Sequence, residues 1–182
     1  MQQYLIAATV IAACTTPALA AETEHREHGA HEHGSAELNL VWEGETVSIE
    51  FESPAVNIVG FEHAPRTYAQ RETVRNAVAS LKNAGDLFVF TPEARCVGQA
   101  TEVESELAEN KSAAHAKQGN NEHSAFRAQY RFTCKKPDAL RSVKVNLLKR
   151  FPGTKTLRAR IVSATNQSAT ELKPGHTRLT LP

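Results

Sequence analysis

Residues 36–54 read AELNLVWEGETVSIEFESP, and apolar and polar side chains alternate on both sides of Gly44. Alternation with a period of two is typical of strands with one buried face, and the glycine between the runs predicts the turn of a β-hairpin. One face of this hairpin is apolar and the other is acidic. Proline cannot donate a hydrogen bond to a strand ladder, so Ser53-Pro54 predicts the end of the second strand.

A helical pattern follows the hairpin and predicts one main helix over about 65–84. Pro65 lies near its start, and Thr67 and Gln70 have the spacing of a capping box. One face of the helix carries four apolar side chains at i, i+3, i+4 and i+7: Val74, Ala77, Val78 and Leu81. Gly85 predicts the C-terminal stop.

Further apolar patterns predict strands along the rest of the chain: Cys96 to Leu107, Phe126 to Cys134, Val143 to Leu148, Lys155 to Ser163, Ser168 to Leu172 and Thr177 to Leu181. The polar, low-complexity stretch 108–122 predicts a mobile loop. Together these patterns predict an α+β fold, a mostly antiparallel sheet or sandwich with one main helix. His33-Gly34-Ser35-Ala36 and His123-Ser124-Ala125-Phe126 also resemble each other, which suggests a two-fold pseudo-repeat.

The N-terminus predicts export. An apolar run from Leu5 to Ala13 precedes Ala18-Leu19-Ala20, the pattern of a signal peptide over residues 1–20, although the segment lacks Lys and Arg. The run is shorter than the roughly 20 apolar residues that span a bilayer. Ile11-Ala12-Ala13-Cys14 also resembles a lipobox, in which Cys14 would be acylated. Cleavage after Ala20 is favoured, which predicts a periplasmic protein with a flexible leader over 21–34, a single domain over 35–182 and no membrane span in the mature chain.

Export also bears on the two remaining cysteines. In an oxidising compartment Cys96 and Cys134 are most simply interpreted as one disulfide. If they lie directly opposite each other, the glutamates of the first strand fall one residue out of step with the arginines of the second. A bulge at Gly98 would correct the register, or the cysteines do not lie directly opposite each other.

The charge is unevenly distributed, although the net charge is only +1. Ten glutamates and one basic residue, Arg26, lie between Glu22 and Glu62, whereas eleven Lys or Arg and one acid, Asp138, lie between Arg127 and Arg160. This balance gives no indication of nucleic-acid binding. It leaves open a non-catalytic envelope interaction module that docks an anionic partner through the basic strands 127–160, with strong salt dependence. Solvated strand faces are the simpler interpretation of most of these charges.

Candidate metal ligands concentrate in the leader, which contains His25, His28, His31 and His33 among several glutamates. Neutral imidazoles are good ligands for zinc and other divalent transition metals, and carboxylates can complete a zinc shell. Mobile histidines alone bind weakly because ordering them costs conformational entropy. The folded part must therefore supply a fixed ligand, and Glu62-His63 is the candidate.

Plainer interpretations compete with each of these histidines. The leader could be a solvated tail, and His63 an ordinary hydrogen-bonded loop residue. His123 could be a ligand or a polar strand start, while His115 is expected to be solvated and His176 to lie in a turn.

An enzyme is not predicted. A zinc hydrolase with three histidines and a water is the alternative, but the chain has no His-Glu-x-x-His motif. No Ser-His-Asp set is recognisable, although spacing alone does not exclude one.

Two blocks resemble the ZrgA-like family of zinc-regulated periplasmic proteins: His31-Glu32-His33-Gly34-Ser35-Ala36-Glu37-Leu38-Asn39-Leu40 and Glu52-Ser53-Pro54-Ala55-Val56-Asn57-Ile58-Val59-Gly60-Phe61-Glu62-His63-Ala64-Pro65. Further similar stretches are Cys96, His123 through Tyr130 to Cys134, Phe151-Pro152, and Gln167 through Leu172 to Pro174. The resemblance implies a periplasmic zinc-binding accessory to zinc acquisition, with the N-terminal histidines and the Glu62-His63 loop at the site, and it does not imply catalysis. We expect bound metal to be passed to, or taken from, an envelope transporter. Family members often carry a His- and Asp-rich tract where this chain has 108–122, so a single site or a pair is expected here.

The resulting hypothesis is a zinc ion held by His31, His33 and His63. Glu62, His28 or His123 would complete a tetrahedral shell.

Overall fold

The computed structural model describes residues 32–108 and 124–181. Within these ranges the strands are β1 (Ser35–Glu43), β2 (Thr46–Pro54), β3 (Phe88–Phe90), β4 (Cys96–Ser105), β5 (Ala125–Cys134), β6 (Ser142–Val145), β7 (Thr156–Ser163), β8 (Gln167–Leu172) and β9 (Arg178–Thr180). The helices are α1 (Ala55–Val59), α2 (Tyr68–Lys82), α3 (Ala84–Leu87) and α4 (Leu147–Arg150). Two single 3₁₀ turns lie at Pro92–Ala94 and Pro137–Ala139.

The strands form a large sheet and a small one. The large sheet has six strands in the order β4-β5-β2-β1-β7-β8, and the small sheet has three in the order β3-β6-β9. All pairs are antiparallel except β1 with β7, which is parallel. The predicted α+β fold with a mostly antiparallel sheet and one main helix is confirmed.

The hairpin is confirmed with its predicted faces. Leu38 lies opposite Phe51 and Leu40 opposite Ile49, and all four side chains are buried. Gly44 adopts a left-handed φ of 55° in the turn, a conformation that costs glycine little. Pro54 ends β2.

The core lies on one face of the large sheet. Aromatic rings of β3 pack edge-on against β5, with ring centroids 4.9 Å apart for Phe88 and Tyr130 and 4.7 Å apart for Phe90 and Phe132. Helix α2 contacts β4 and α1, and it buries the apolar face that its spacing predicts. The capping box of Thr67 and Gln70 is also present.

Two predicted boundaries are wrong. Gly85 does not end the main helix, because α2 stops at Lys82 and Gly85 lies within α3. The side-chain amide of Asn83 donates to Asp86 Oδ2 (2.5 Å) and so stabilises the turn that begins α3. The strand predicted over 143–148 ends at Val145, since Asn146 donates to the Asp86 carbonyl (2.7 Å) and the chain then turns into α4.

Cys96 and Cys134 form a disulfide and lie directly opposite each other at one end of β4 and β5. The register shifts between Gly98 and Ala100, which confirms the bulge. Glu104 therefore lies opposite Arg127, whose guanidinium pairs with Glu52 at 3.1 Å and Glu106 at 2.9 Å. The bulge thus brings acidic and basic side chains into step.

Because of Glu106, the stability of this region is expected to depend on pH in the acidic range. Burial raises the pKa of its carboxyl, but hydrogen bonds from the Ala125 N–H and from Arg127 outweigh burial, so the pKa lies below its ordinary value. A carboxyl group whose pKa is lowered by folding stabilises the fold at pH values above its pKa in the unfolded chain. This contribution is lost as the pH falls through the pKa in the folded state.

Glu106→Gln is therefore expected to cost about 1 kcal/mol at pH 7 and less near pH 3. Urea unfolding of the wild type and the variant at both pH values would check this. Glu50→Gln is the matched control, because Glu50 is exposed and forms no ion pair among the residues described. A cost that stays constant with pH would contradict the assignment.

Several predictions lie outside the described residues: the signal peptide over 1–20, the lipobox at Cys14, the leader up to His31, and the loop 108–122 apart from Ala108. In the ranges that are described, no helix is long and apolar enough to cross a membrane.

Candidate metal-binding site

The topology brings the start of β1, next to His33, and the start of β5 to one end of the large sheet. Strands β1 and β5 flank β2 and run antiparallel to it, so both begin where β2 ends at Pro54. Ser35-Ala36 of β1 and Ser124-Ala125-Phe126 at the start of β5 therefore lie at the same end of the sheet on either side of β2, although β1 continues into its hairpin and β5 leads to β6 of the small sheet. Strand β7 also begins here, and α1 follows directly. We call this region the Pro54 end.

A buried asparagine fixes the start of β1 at the Pro54 end. Asn57 of α1 is 5% exposed, and its Oδ1 accepts from the Gly34 N–H at 2.7 Å while its Nδ2 donates to the Ser35 carbonyl at 2.8 Å. The Gly34 carbonyl in turn accepts from the N–H groups of Lys155 and Thr156. Gly34 itself has a φ of 85°, so the turn after His33 suits glycine. His33 is thus held on a backbone fixed from two sides.

The main chain of Asn57 also contacts the loop before β7. A Cβ at Gly153 would lie 2.3 Å from the Asn57 carbonyl oxygen, so only glycine allows this close approach. Sequence analysis did not identify Asn57 as a positioning residue. A polar side chain within the apolar run 55–59 was the signal that could have revealed it.

We expect Asn57→Ala to lower the free energy of unfolding by about 2 kcal/mol, because it leaves the part-buried Gly34 N–H and the buried Ser35 carbonyl without their partner. Chemical unfolding of the variant checks this, and Asn76→Ala on the exposed surface of α2 is the matched control, with little change expected. A cost below about 0.5 kcal/mol would show that the two backbone groups find other partners.

His33 and Glu62 are brought together. His33 Nε2 lies 3.6 Å from Glu62 Oε1, and the exposed fraction is 63% for the His33 side chain but only 13% for Glu62. The Glu62 carbonyl accepts from Ser124 Oγ at 2.8 Å, and the Ser124 carbonyl accepts from the Ala55 N–H at 2.8 Å. The carboxylate is therefore the fixed member of the pair, and the imidazole is its exposed partner.

The residue before His33 is anchored as well. Glu32 pairs with Arg158 of β7 at 2.5 Å, and the same guanidinium lies 3.6 Å from Glu37. These two carboxylates raise the pKa of Arg158, the Glu32 hydrogen bond most of all. Sequence analysis did not single out Arg158, since residues 126 positions apart give no local signal.

His63 faces different neighbours from Glu62. Its ring stacks on Phe61 with centroids 5.1 Å apart, and its Nδ1 lies 2.9 Å from the Ala64 carbonyl oxygen. A carbonyl accepts, so this contact needs the proton on Nδ1 and leaves Nε2 for a metal. However, no three His, Cys, Asp or Glu side chains within 32–108 and 124–181 form a group that could hold a metal ion. His63 therefore does not join His33 and Glu62 in a ready-made site.

The other candidate ligands are His25, His28, His31 and His123, and they lie outside the described residues, as does His115. Their roles stay predictions. Their described neighbours in sequence, Glu32 and Ser124, lie at the Pro54 end. His176 lies in a turn, where its N–H donates to the Lys173 carbonyl at 2.8 Å, as predicted.

The His33–Glu62 pair offers one imidazole nitrogen and one carboxylate, both suitable for zinc. Two ligands do not complete a tetrahedral shell, so further ligands would have to come from elsewhere in the chain.

Comparison with known proteins agrees with this chemistry. A family model described as "ZrgA family zinc uptake protein" matches residues 30–181, which include the whole of the Pro54 end. No curated protein matches the chain. The family match covers most of the sequence, and the chain therefore belongs to the ZrgA family of zinc uptake proteins.

Proposed function

We propose that this protein binds Zn²⁺ in the periplasm as an accessory to zinc acquisition or buffering. Family membership supports a role connected with zinc uptake. The proposal of a zinc site rests on the contact between His33 and Glu62. This contact lies where the histidine-rich leader meets the folded part of the chain. A largely buried carboxylate there can serve as a ligand that the folded part holds in place.

The proposed shell combines ligands of the folded part with ligands of the leader. Glu62 and His33 supply two ligands, and the leader histidines His25, His28 and His31 supply the rest, with His123 as a further candidate. This changes the earlier hypothesis, because Glu62 replaces His63 as the anchor. Four protein ligands would suit buffering, whereas three and a water would suit transfer to an envelope transporter. We propose no catalytic role.

Calorimetric titration of zinc into the mature chain, beside a form that begins at Gly34, tests this proposal. We expect saturable binding at one or two sites in the mature chain and its loss in the shorter form. Gly34 keeps its hydrogen bonds to Asn57 and Lys155 in that form, so the start of β1 stays anchored. Equal affinity in both forms would place the site outside the leader.

His33→Ala is expected to weaken zinc binding by about tenfold, a smaller effect than loss of the leader. Neighbouring leader histidines can take the place of one exposed imidazole. The control is His176→Ala, because this exposed histidine lies in the turn after β8, which pairs with β7 and not with β1, and its zinc affinity should equal that of the wild type. Unchanged affinity in His33→Ala would remove this residue from the shell.

A further inference from the structure

The basic segment 127–160 contains two kinds of cationic side chain. Arg127 and Arg158 are paired with carboxylates on the outer face of the large sheet. By contrast, none of the ion pairs formed within the described ranges involves Lys144, Lys149 or Arg150. The side chains of this segment without an ion pair in the described ranges therefore include Lys144, Lys149 and Arg150, which lie in β6 and α4.

These three side chains line one open cleft of about 920 Å³, between the C-terminal half of α2, α3 and the β6–α4 segment. Amide and hydroxyl groups complete most of its lining: Asn76, Ser80, Asn83 and Asn146. The cleft has one carboxylate, Asp86, which already accepts from Asn83 at 2.5 Å. Three cations against one anion leave an excess of two positive charges in the lining.

Hydrogen bonds within the protein hold the elements that form the cleft in place. The Arg150 guanidinium donates to Ser80 Oγ and so joins α4 to α2, which orients its remaining N–H groups. Asn146 donates to the Asp86 carbonyl at 2.7 Å and holds α4 against α3. Lys144 lies opposite Arg178 of β9, a like-charged neighbour that strengthens the local positive potential.

We propose that this cleft docks an acidic segment of a partner protein, whose carboxylates pair with Lys144, Lys149 and Arg150. Guanidinium and ammonium groups bind carboxylates by charge-assisted hydrogen bonds, and the amide side chains suit a peptide backbone. The cleft is as large as pockets that enclose whole small molecules, and it is open, so an extended segment fits better than a single small anion.

The cleft is separate from the zinc-binding region. The loop that contains Glu62 precedes the N-terminus of α2, whereas the cleft lies along its C-terminal half. A helix of 15 residues is roughly 20 Å long. Docking in the cleft and zinc binding can therefore be tested independently of each other.

The test is fluorescence anisotropy of a labelled hexaglutamate peptide titrated with the mature protein at low and high salt. We expect saturable binding that weakens with salt and that falls at least tenfold in Lys149→Glu/Arg150→Glu. Lys135→Glu/Lys136→Glu carries the same charge change on exposed residues elsewhere and should bind within about twofold of the wild type. Lys144→Glu is the second variant in case loss of the Arg150–Ser80 bond impairs folding, because Lys144 forms no side-chain hydrogen bond within the described residues.

Three outcomes would overturn the proposal. Equal weakening in the cleft variant and the control would show attraction to the overall charge alone. Displacement of the peptide by millimolar inorganic phosphate would indicate a small-anion site. Cleft-dependent binding to phosphatidylglycerol vesicles without peptide binding would indicate a lipid surface. The peptide should bind equally well to Glu62→Gln, so failure of the zinc proposal would not affect this result.

Discussion

Replacing Cys96 and Cys134 together by serine is expected to lower the free energy of unfolding by about 4 kcal/mol. The disulfide joins residues 38 positions apart, and a cross-link over that length removes this much loop-closure entropy from the unfolded chain. The bond closes β4, the segment after Ala108 and β5 into one loop, so it offsets the entropy of a long connection. Urea unfolding of the oxidised wild type and the double variant measures the difference.

Two further measurements separate this effect from others. The wild type unfolded in the presence of a reductant should match the double variant, because both lack the cross-link. Zinc affinity should stay unchanged, since Cys134 lies at the opposite end of β5 from Ser124 and the Pro54 end. A loss of less than 1 kcal/mol would show that the unfolded chain is already compact without the bond.

The elements predicted correctly are those whose signals are local in sequence. Alternation around Gly44 predicts the hairpin, and the capping box at Thr67 predicts the start of α2, because each pattern lies within one element. A bulge at Gly98 was one of two alternatives that the sequence left open because of a conflict between two signals, and the register shift selects it. The cysteines required one register and the charged side chains required another, and an extra residue reconciles them.

The errors have different physical causes. Short apolar runs fit a strand or a helical turn equally well, and a tertiary hydrogen bond from Asn146 to the Asp86 carbonyl marks where β6 ends. At the end of α2, a local hydrogen bond from the Asn83 side chain to Asp86 stabilises a new turn before Gly85 can act as the stop. The parallel pairing of β1 with β7 joins segments more than a hundred residues apart, which periodicity cannot indicate.

The same distinction applies to the candidate site. Histidine spacing and the Glu62-His63 pair led to a hypothesis with His63 as the fixed ligand and Glu62 as one of the residues that could complete the shell. The choice between the two residues depends on which way each side chain points. The structure places Glu62 beside His33 and turns His63 onto Phe61.

Glu62→Gln is expected to weaken zinc binding by a hundredfold or more. The change keeps the shape of the side chain but removes the charge and a good zinc-binding oxygen. Loss of a residue that merely supports a ligand costs 10–100-fold, so loss of the fixed ligand itself should cost at least as much. A leader histidine would not replace Glu62, because Glu62 is the proposed ligand that the folded part holds in place. Calorimetric zinc titration of the mature variant, beside Glu50→Gln as a control with the same charge change, measures the effect.

His63→Ala distinguishes the two candidate anchors. If Glu62 is the anchor, His63→Ala should keep zinc affinity within a few-fold of the wild type, because its ring does not join the His33–Glu62 pair. The opposite result, with Glu62→Gln binding normally and His63→Ala binding weakly, would require the His63 ring to leave Phe61 when metal binds. Its Nδ1 contact with Ala64 would then orient Nε2 as the ligand. The ratio of the two affinities thus identifies which of the two residues, Glu62 or His63, is the zinc ligand held by the folded part.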